Sequence, residues 1–205
     1  APKVIAQKAY ECDIPFIHFS TDYVFNGEKE CSYEEGDVAQ PLGIYGKSKL
    51  AGENAIKEVD GQYYIFRTSW VYSNIGKNFF LTMKKLSEEK DELNIVSNQY
   101  GVPTSNHFIA QQINKIIPLI DKSNKGIYHL VPNGSCSWHE FAKQIIDKLN
   151  PNFDLKKISP IDSKKYKTKA KRPLNSILSN KKVKQVFMLK FKDWKTELKQ
   201  LIYET

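Results

Sequence analysis

The sequence predicts an α/β fold, a parallel sheet with helices and a smaller α+β region beside it. Three observations carry this. The apolar run Phe16-Ile17-His18-Phe19 ends at Ser20-Thr21-Asp22, as a buried parallel strand with an exposed C-terminal end does. A helical pattern over 45–59 separates that run from the β-branched and aromatic Tyr63-Tyr64-Ile65-Phe66-Arg67-Thr68, which is the order of a strand-helix-strand crossover. Of 205 residues, 40% are hydrophobic and 26% charged. That balance is ordinary for one large globular domain or two small ones, and no apolar run approaches a bilayer span.

Pro2 to Glu11 reads as a helix with Val4, Ile5 and Ala9 partly on one side. The strand at Phe16–Ser20 follows. The segment 26–40 is polar and acidic, and Asn26-Gly27 marks a tight turn. The next helix runs from about Tyr45 to Val59, with Leu50, Ala55, Ile56 and Val59 as its apolar side. Beyond the strand at Tyr63–Thr68, Phe79–Glu89 is amphipathic through Phe80, Met83 and Leu86, and Leu93–Ser97 is a short strand. Thr104 or Ser105 caps a helix in which Ile109, Ile113, Ile116 and Ile120 recur at core spacing. Gly126–Val131 reads as a strand. Ser137 and Glu140 form a capping box before Phe141, Ile145 and Leu149. Apolar segments at Leu155–Ile158 and Val183–Leu189 and a last helix with Trp194, Leu198 and Leu201 complete the chain.

Three side chains fit one chemistry. Tyr45 and Lys49 lie four apart and share a helix face. A carbonyl reduced by hydride needs a proton donor beside its oxygen. A free phenol donates sluggishly near neutrality, and an ammonium one turn away favours the phenolate. A hydroxyl such as Thr21, at the neighbouring strand end, holds the same oxygen by a second hydrogen bond. Eleven tyrosines give one Tyr-x-x-x-Lys match, about what composition alone provides, so the bare pair is equally a solvated surface pair.

The pair has company. Ser20-Thr21-Asp22-Tyr23-Val24-Phe25, Gly27, Tyr45-Gly46-Lys47-Ser48-Lys49 and Gly52-Glu53 resemble the extended short-chain dehydrogenase/reductases. The similarity continues through Arg67-Thr68-Ser69-Trp70-Val71-Tyr72, Asn78-Phe79, Gln99-Tyr100-Gly101-Val102-Pro103-Thr104, Ser137-Trp138-His139-Glu140-Phe141-Ala142 and Lys171-Arg172-Pro173-Leu174-Asn175-Ser176, nearly the whole chain in order. The resemblance implies a Rossmann-type parallel sheet over 1–72 and 106–131 and a substrate-binding region over 73–105 and 132–205. It also implies reduction of a dTDP-4-keto-6-deoxysugar by NADPH or NADH. Tyr45 would be the proton donor, Lys49 would hold the nicotinamide ribose, and Thr21 would orient the carbonyl. Trp70 is carried over as a sugar contact, with a core tryptophan the equal alternative. Asp22 and Tyr23 adjoin the same strand mouth and would also contact the sugar, with inward packing the alternative for Tyr23. Arg172 suits a diphosphate oxygen, because a guanidinium binds such groups in bidentate fashion, or else makes a surface ion pair.

The resemblance also has gaps. Asn98 stands where the family usually has Asp. The glycine-rich turn that cradles a dinucleotide pyrophosphate is not found among the ten glycines. The chain therefore reads as the latter two-thirds of such an enzyme, with an incomplete cofactor site. It is expected to be inactive alone and to form a homo-oligomer through an uncovered sheet edge. Nucleotide-sugar dehydratases carry Asp-Glu after the threonine, whereas Asp22-Tyr23 stands here, against elimination. The competing class is a non-catalytic regulatory subunit on the same fold, such as that of methionine adenosyltransferase. The intact trio favours the enzyme, since fold alone decides nothing.

The formal charge is +8, concentrated between Lys156 and Lys199, where fifteen Lys or Arg face Asp162, Asp193 and Glu197. Aromatic residues do not interleave with them, so a solvated surface is favoured over a nucleic-acid partner; a milder role is attraction of an anionic nucleotide sugar. Three cysteines without metal spacing, and no signal-peptide pattern, fit a cytoplasmic setting with no membrane partner. Four scattered histidines lack ligand spacing, so no catalytic metal is expected.

Overall fold

The computed structural model describes residues 1–166, 168 and 170–203; Lys167 and Lys169, part of the basic stretch, lie outside the described residues. In chain order the elements are α1 (Pro2–Glu11), β1 (Phe16–Thr21), α2 (Ile44–Val59), β2 (Tyr63–Thr68), β3 (Val71–Tyr72), α3 (Phe79–Glu89), β4 (Leu93–Val96), β5 (Tyr100–Gly101) and β6 (Thr104–Ser105). There follow α4 (Asn106–Ile116), β7 (Gly126–His129), β8 (Cys136–Ser137), α5 (Trp138–Leu149), β9 (Ile158–Ile161), α6 (Lys181–Val186) and α7 (Trp194–Tyr203).

β1, β2 and β7 form a parallel sheet with β2 in the centre. The register pairs Thr21 with Thr68 and Arg67 with His129, so the C-terminal ends of all three strands lie together. Alternation along β2 sends Ile65 to one face, against Ala6 and Ile56, and Tyr64 and Phe66 to the other, against Phe108, Tyr128 and Val183. Beyond the strand ends, Val24, Phe25, Tyr33, Val102, Val131 and Leu178 make a further cluster. The largest core joins Tyr72, Phe80 and Leu93 to Phe141, Ile145, Trp194 and Leu198. Small pairs surround it: β3 with β6 and β4 with β9 in parallel, β5 with β8 antiparallel. Val183, Phe187 and Phe191, expected in the second region, pack on the three-stranded sheet.

Some faces differ from the sequence expectation. In α1 the buried residues are Ala6 and Ala9, while Val4 is 72% and Ile5 55% exposed. The helix approaches α2 through its alanines, and the bulkier side chains point outward. In α4 the fully buried positions are Phe108, Gln112 and Ile116, with Ile109 and Ile113 half-buried. In α2 they are Gly46, Gly52, Glu53 and Ile56; the buried carboxylate displaces Leu50, Ala55 and Val59 to half-buried positions. The caps hold: Ser105 accepts from Phe108 N at 3.0 Å, and Ser137 with Glu140 makes a capping box.

Candidate active site

The site forms where β1 ends. Thr21 closes the strand and caps a single 3-10 turn, Asp22–Val24, its Oγ1 accepting from Tyr23 N at 3.2 Å. Thr21 Oγ1 also donates to Asp22 Oδ1 at 2.9 Å. Thr21 and Asp22 are both buried, and the Asp22 carboxyl is tied to the threonine hydroxyl. Burial pushes its carboxyl pKa up to about 7, opposed by hydrogen bonding from Ser176 and Thr21.

Gly46 sets α2 against this turn. A Cβ there would lie 2.1 Å from the Tyr23 carbonyl oxygen, so only glycine permits the approach. Its neighbour Tyr45 is 58% exposed and meets the Tyr23 ring edge-on, with centroids 6.3 Å apart. One turn on, Lys49 Nζ donates to the Phe19 carbonyl on β1 at 2.5 Å. Burial lowers the Lys49 pKa, and Glu53 partly restores it. Tyr45 and Lys49 thus flank the β1 end that carries Thr21.

Beneath them Glu53 and Arg67 form a two-pronged pair, Nε to Oε1 at 3.0 Å and a terminal nitrogen to Oε2 at 2.6 Å. Both side chains are almost wholly buried. The Arg67 guanidinium also lies over the Phe25 ring, 5.1 Å from its centroid. Beside Arg67, His129 is fully buried and its backbone N–H donates to Glu35 at 2.9 Å. Burial, then the Arg67 charge, lowers the His129 pKa to about 3. The sequence offered a signal for this pair: an arginine inside a strand otherwise composed for a core demands a buried counter-ion.

A cavity of about 870 Å³ adjoins the strand end. Tyr23, Trp70, Phe79, Gln99, Trp138 and Arg172 line it. Burial, then Asp22, raises the Tyr23 pKa to about 12, with Arg172 acting in the opposite direction. Trp70 stacks on Trp138 with centroids 3.5 Å apart and planes 7° from parallel. Its backbone is left-handed, φ 45°, a strained state for a tryptophan. Gly101 admits its ring, since a Cβ there would lie 2.4 Å from Trp70 Cε2. Trp70 is therefore half-buried and held as one wall of a cavity. Arg172 is exposed at that wall, and among the described residues it forms no ion pair. Asn98 lies apart, donating to Asp162 at 3.0 Å and accepting from Ser163 N at 2.8 Å. An aspartate there would face the Asp162 carboxylate, so the amide suits this position.

The structure brings Tyr23, Trp70 and Arg172 to one cavity, with Thr21, Tyr45 and Lys49 at the adjoining strand end. A second, open hollow of about 480 Å³, lined by Lys181, Lys184 and Lys190, contains none of them. Among the described residues, no group of three or more His, Cys, Asp and Glu is placed to hold a metal, and no helix is long and apolar enough to cross a membrane.

A Tyr-x-x-x-Lys helix beside a strand-end threonine, on a parallel sheet with a cavity at its C-terminal edge, defines the short-chain dehydrogenase/reductase scaffold. The RmlD substrate binding domain family matches residues 1–205. The chain is 37% identical to the dTDP-4-dehydrorhamnose reductase of Escherichia coli K12, over 98% of this chain and 69% of that one. It superposes with a TM-score of 0.91 on the dTDP-4-dehydrorhamnose reductase of Bacillus anthracis in complex with NADP, 35% identical, covering 100% of this chain and 70% of that one. The Clostridium acetobutylicum orthologue gives 0.89 at 37% identity, covering 98% of this chain and 69% of that one. The chain belongs to the RmlD family, that of the dTDP-4-dehydrorhamnose reductases.

Proposed function

We propose that this protein reduces the 4-keto group of dTDP-4-dehydro-L-rhamnose to dTDP-L-rhamnose with NADPH, for nucleotide-sugar and polysaccharide synthesis in the cytoplasm. The observation that carries the reading is the joint presence of family membership and an intact Thr21, Tyr45 and Lys49 set at one strand end. NADPH supplies the hydride when bound, and the residues present fit its nicotinamide-ribose end: Lys49 is anchored to β1 and Tyr45 is open to solvent one turn away.

In this account Thr21 holds the C4 carbonyl oxygen by a hydrogen bond. Tyr45 gives that oxygen its proton as the carbonyl carbon gains hydride, and the Lys49 ammonium stabilises the phenolate left behind. The sugar and its diphosphate occupy the large cavity. Trp70 and Tyr23 wall the sugar, and Arg172 reaches a diphosphate oxygen. The sheet with α1, α2, α4 and α6 forms the cofactor side, and the β4–β9 region the substrate side. The test is NADPH absorbance in the protein expressed from its complete reading frame. Loss only when the 4-ketosugar is added supports the reading; tight binding of another protein with no ketosugar-dependent loss replaces it with a regulatory subunit.

A further inference from the structure

We propose that Asp22 is a positioning residue for Thr21: its carboxyl, when protonated, releases the threonine proton toward the substrate carbonyl and, when ionised, holds that proton back. This rests on the proposed role of Thr21 as the group that binds the C4 oxygen.

A threonine hydroxyl has one proton and two acceptor sites. Here one acceptor site takes Tyr23 N–H at 3.2 Å, and the Thr21 proton points at Asp22 Oδ1, 2.9 Å away. An ionised Asp22 is an acceptor only, so that proton stays with it. A carbonyl oxygen arriving at Thr21 then meets a lone pair and gains no hydrogen bond. A protonated Asp22 reverses the bond: Oδ1–H donates to Thr21, both acceptor sites of the hydroxyl are filled, and its proton is free to face the substrate. One proton moves onto the carboxyl, and no other group need shift.

The surroundings favour the neutral carboxyl. Asp22 is 3% exposed, and its Oδ2 is buried without a hydrogen-bond partner, a poor environment for a full charge. Among the described residues no Lys, Arg or His forms an ion pair with it. The groups that face it are Thr21, the backbone N–H groups of the turn, Tyr23, and Ser176, whose single hydroxyl proton is shared between Asp22 and the Tyr100 carbonyl 3.3 Å away. Tyr45 from α2 and Arg172 act on Tyr23, one residue along. Burial is the largest influence, and it sets the carboxyl near pH 7, where a cell would populate both states.

The experiment is the pH profile of kcat for the protein from its complete reading frame, with NADPH and the 4-ketosugar saturating, in wild type, Asp22→Asn and Thr21→Val. Wild type is expected to lose activity as pH rises through about 7, by about tenfold per unit beyond it. Asp22→Asn, whose amide keeps a permanent donor for Thr21, is expected to shift that limb to higher pH, leaving only the part due to loss of the Tyr45 proton, which both proteins share. A limb with the same midpoint in Asp22→Asn as in wild type, or its absence from wild type, overturns the inference. Thr21→Val tests the underlying role: turnover equal to wild type removes Thr21 from the reaction, whereas a slowed Thr21→Val with the limb unshifted in Asp22→Asn sinks only the part played by Asp22. Should Asp22→Asn fail to fold, carboxyl-carbon NMR of wild type decides: titration of Asp22 near 7 upholds the inference, and titration in the ordinary carboxylate range overturns it.

Discussion

Tyr45 is the side chain whose removal bears most directly on the chemistry. Its ring is exposed and rests on one edge contact with Tyr23, so phenylalanine leaves the packing in place and takes away only the hydroxyl. Tyr45→Phe is expected to lower kcat for ketosugar reduction by about 10²–10⁴-fold with an unchanged unfolding midpoint, measured by steady-state kinetics and thermal denaturation. Two other residues couple protons to stability with opposite sign. His129 holds its proton weakly in the folded chain, with a pKa near 3 against 6.5 for the free side chain. Between those values the unfolded state binds more protons, so its contribution is present above pH 6.5 and fades as pH falls toward 3. Asp22, raised to about 7 from 3.8, does the reverse: its protonated form favours the fold below 3.8, and that contribution is lost as pH rises through 7. Urea titrations from pH 7 down to pH 5 are expected to show His129→Leu gaining stability and Asp22→Asn losing it. Slopes equal to wild type in both variants would remove these two groups from the pH dependence.

α2 and β2 are joined by the Glu53–Arg67 pair, and the position of Tyr45 and Lys49 over the sheet depends on it. Removing one member leaves the other charge buried and uncompensated, so Glu53→Ala is expected to destabilise the fold by about 3–5 kcal/mol, read by denaturant titration. The pair of Lys3 with Glu58, also across helices but 61% and 63% exposed, is the control, and Glu58→Ala should leave the midpoint in place. At the other wall, Gly101→Ala pushes a methyl into the Trp70 ring. It is expected to raise KM for the nucleotide sugar while leaving KM for NADPH unchanged. These elements were legible in the chain to different degrees. The strand at Tyr63–Thr68, the helix at Phe79–Glu89 and the capping box at Ser137 depend on local spacing and composition, and they occur as expected. The buried face of α2 did not emerge from its apolar stripe, because a charged residue occupies the middle of it and its partner lies on another element. Nor did the stack of Trp70 on Trp138, which joins residues 68 positions apart and depends on a left-handed backbone at Trp70.

Across the molecule, the site is a strand end and a cavity wall brought together by the sheet. Thr21, Tyr45 and Lys49 could be marked from residue types and family motifs, and Asp22 as a further sugar contact. The burial of the Asp22 carboxyl and its bond to the Thr21 hydroxyl are not revealed by spacing. β1 is an edge of the described three-stranded sheet, with Phe19 at 40% exposure and Val4, Ile5 and Ile14 also exposed close to it in the chain. Such an edge beside apolar surface favours pairing with another copy. The central claim is the reduction itself. Its most direct measurement is the product formed when the protein from its complete reading frame is mixed with dTDP-4-dehydro-L-rhamnose and NADPH deuterated at the transferred position. Wild type is expected to form dTDP-L-rhamnose carrying deuterium at C4, and Tyr45→Phe to form it about 10²–10⁴-fold more slowly. Unchanged ketosugar, or deuterated product formed equally fast by both proteins, would contradict it.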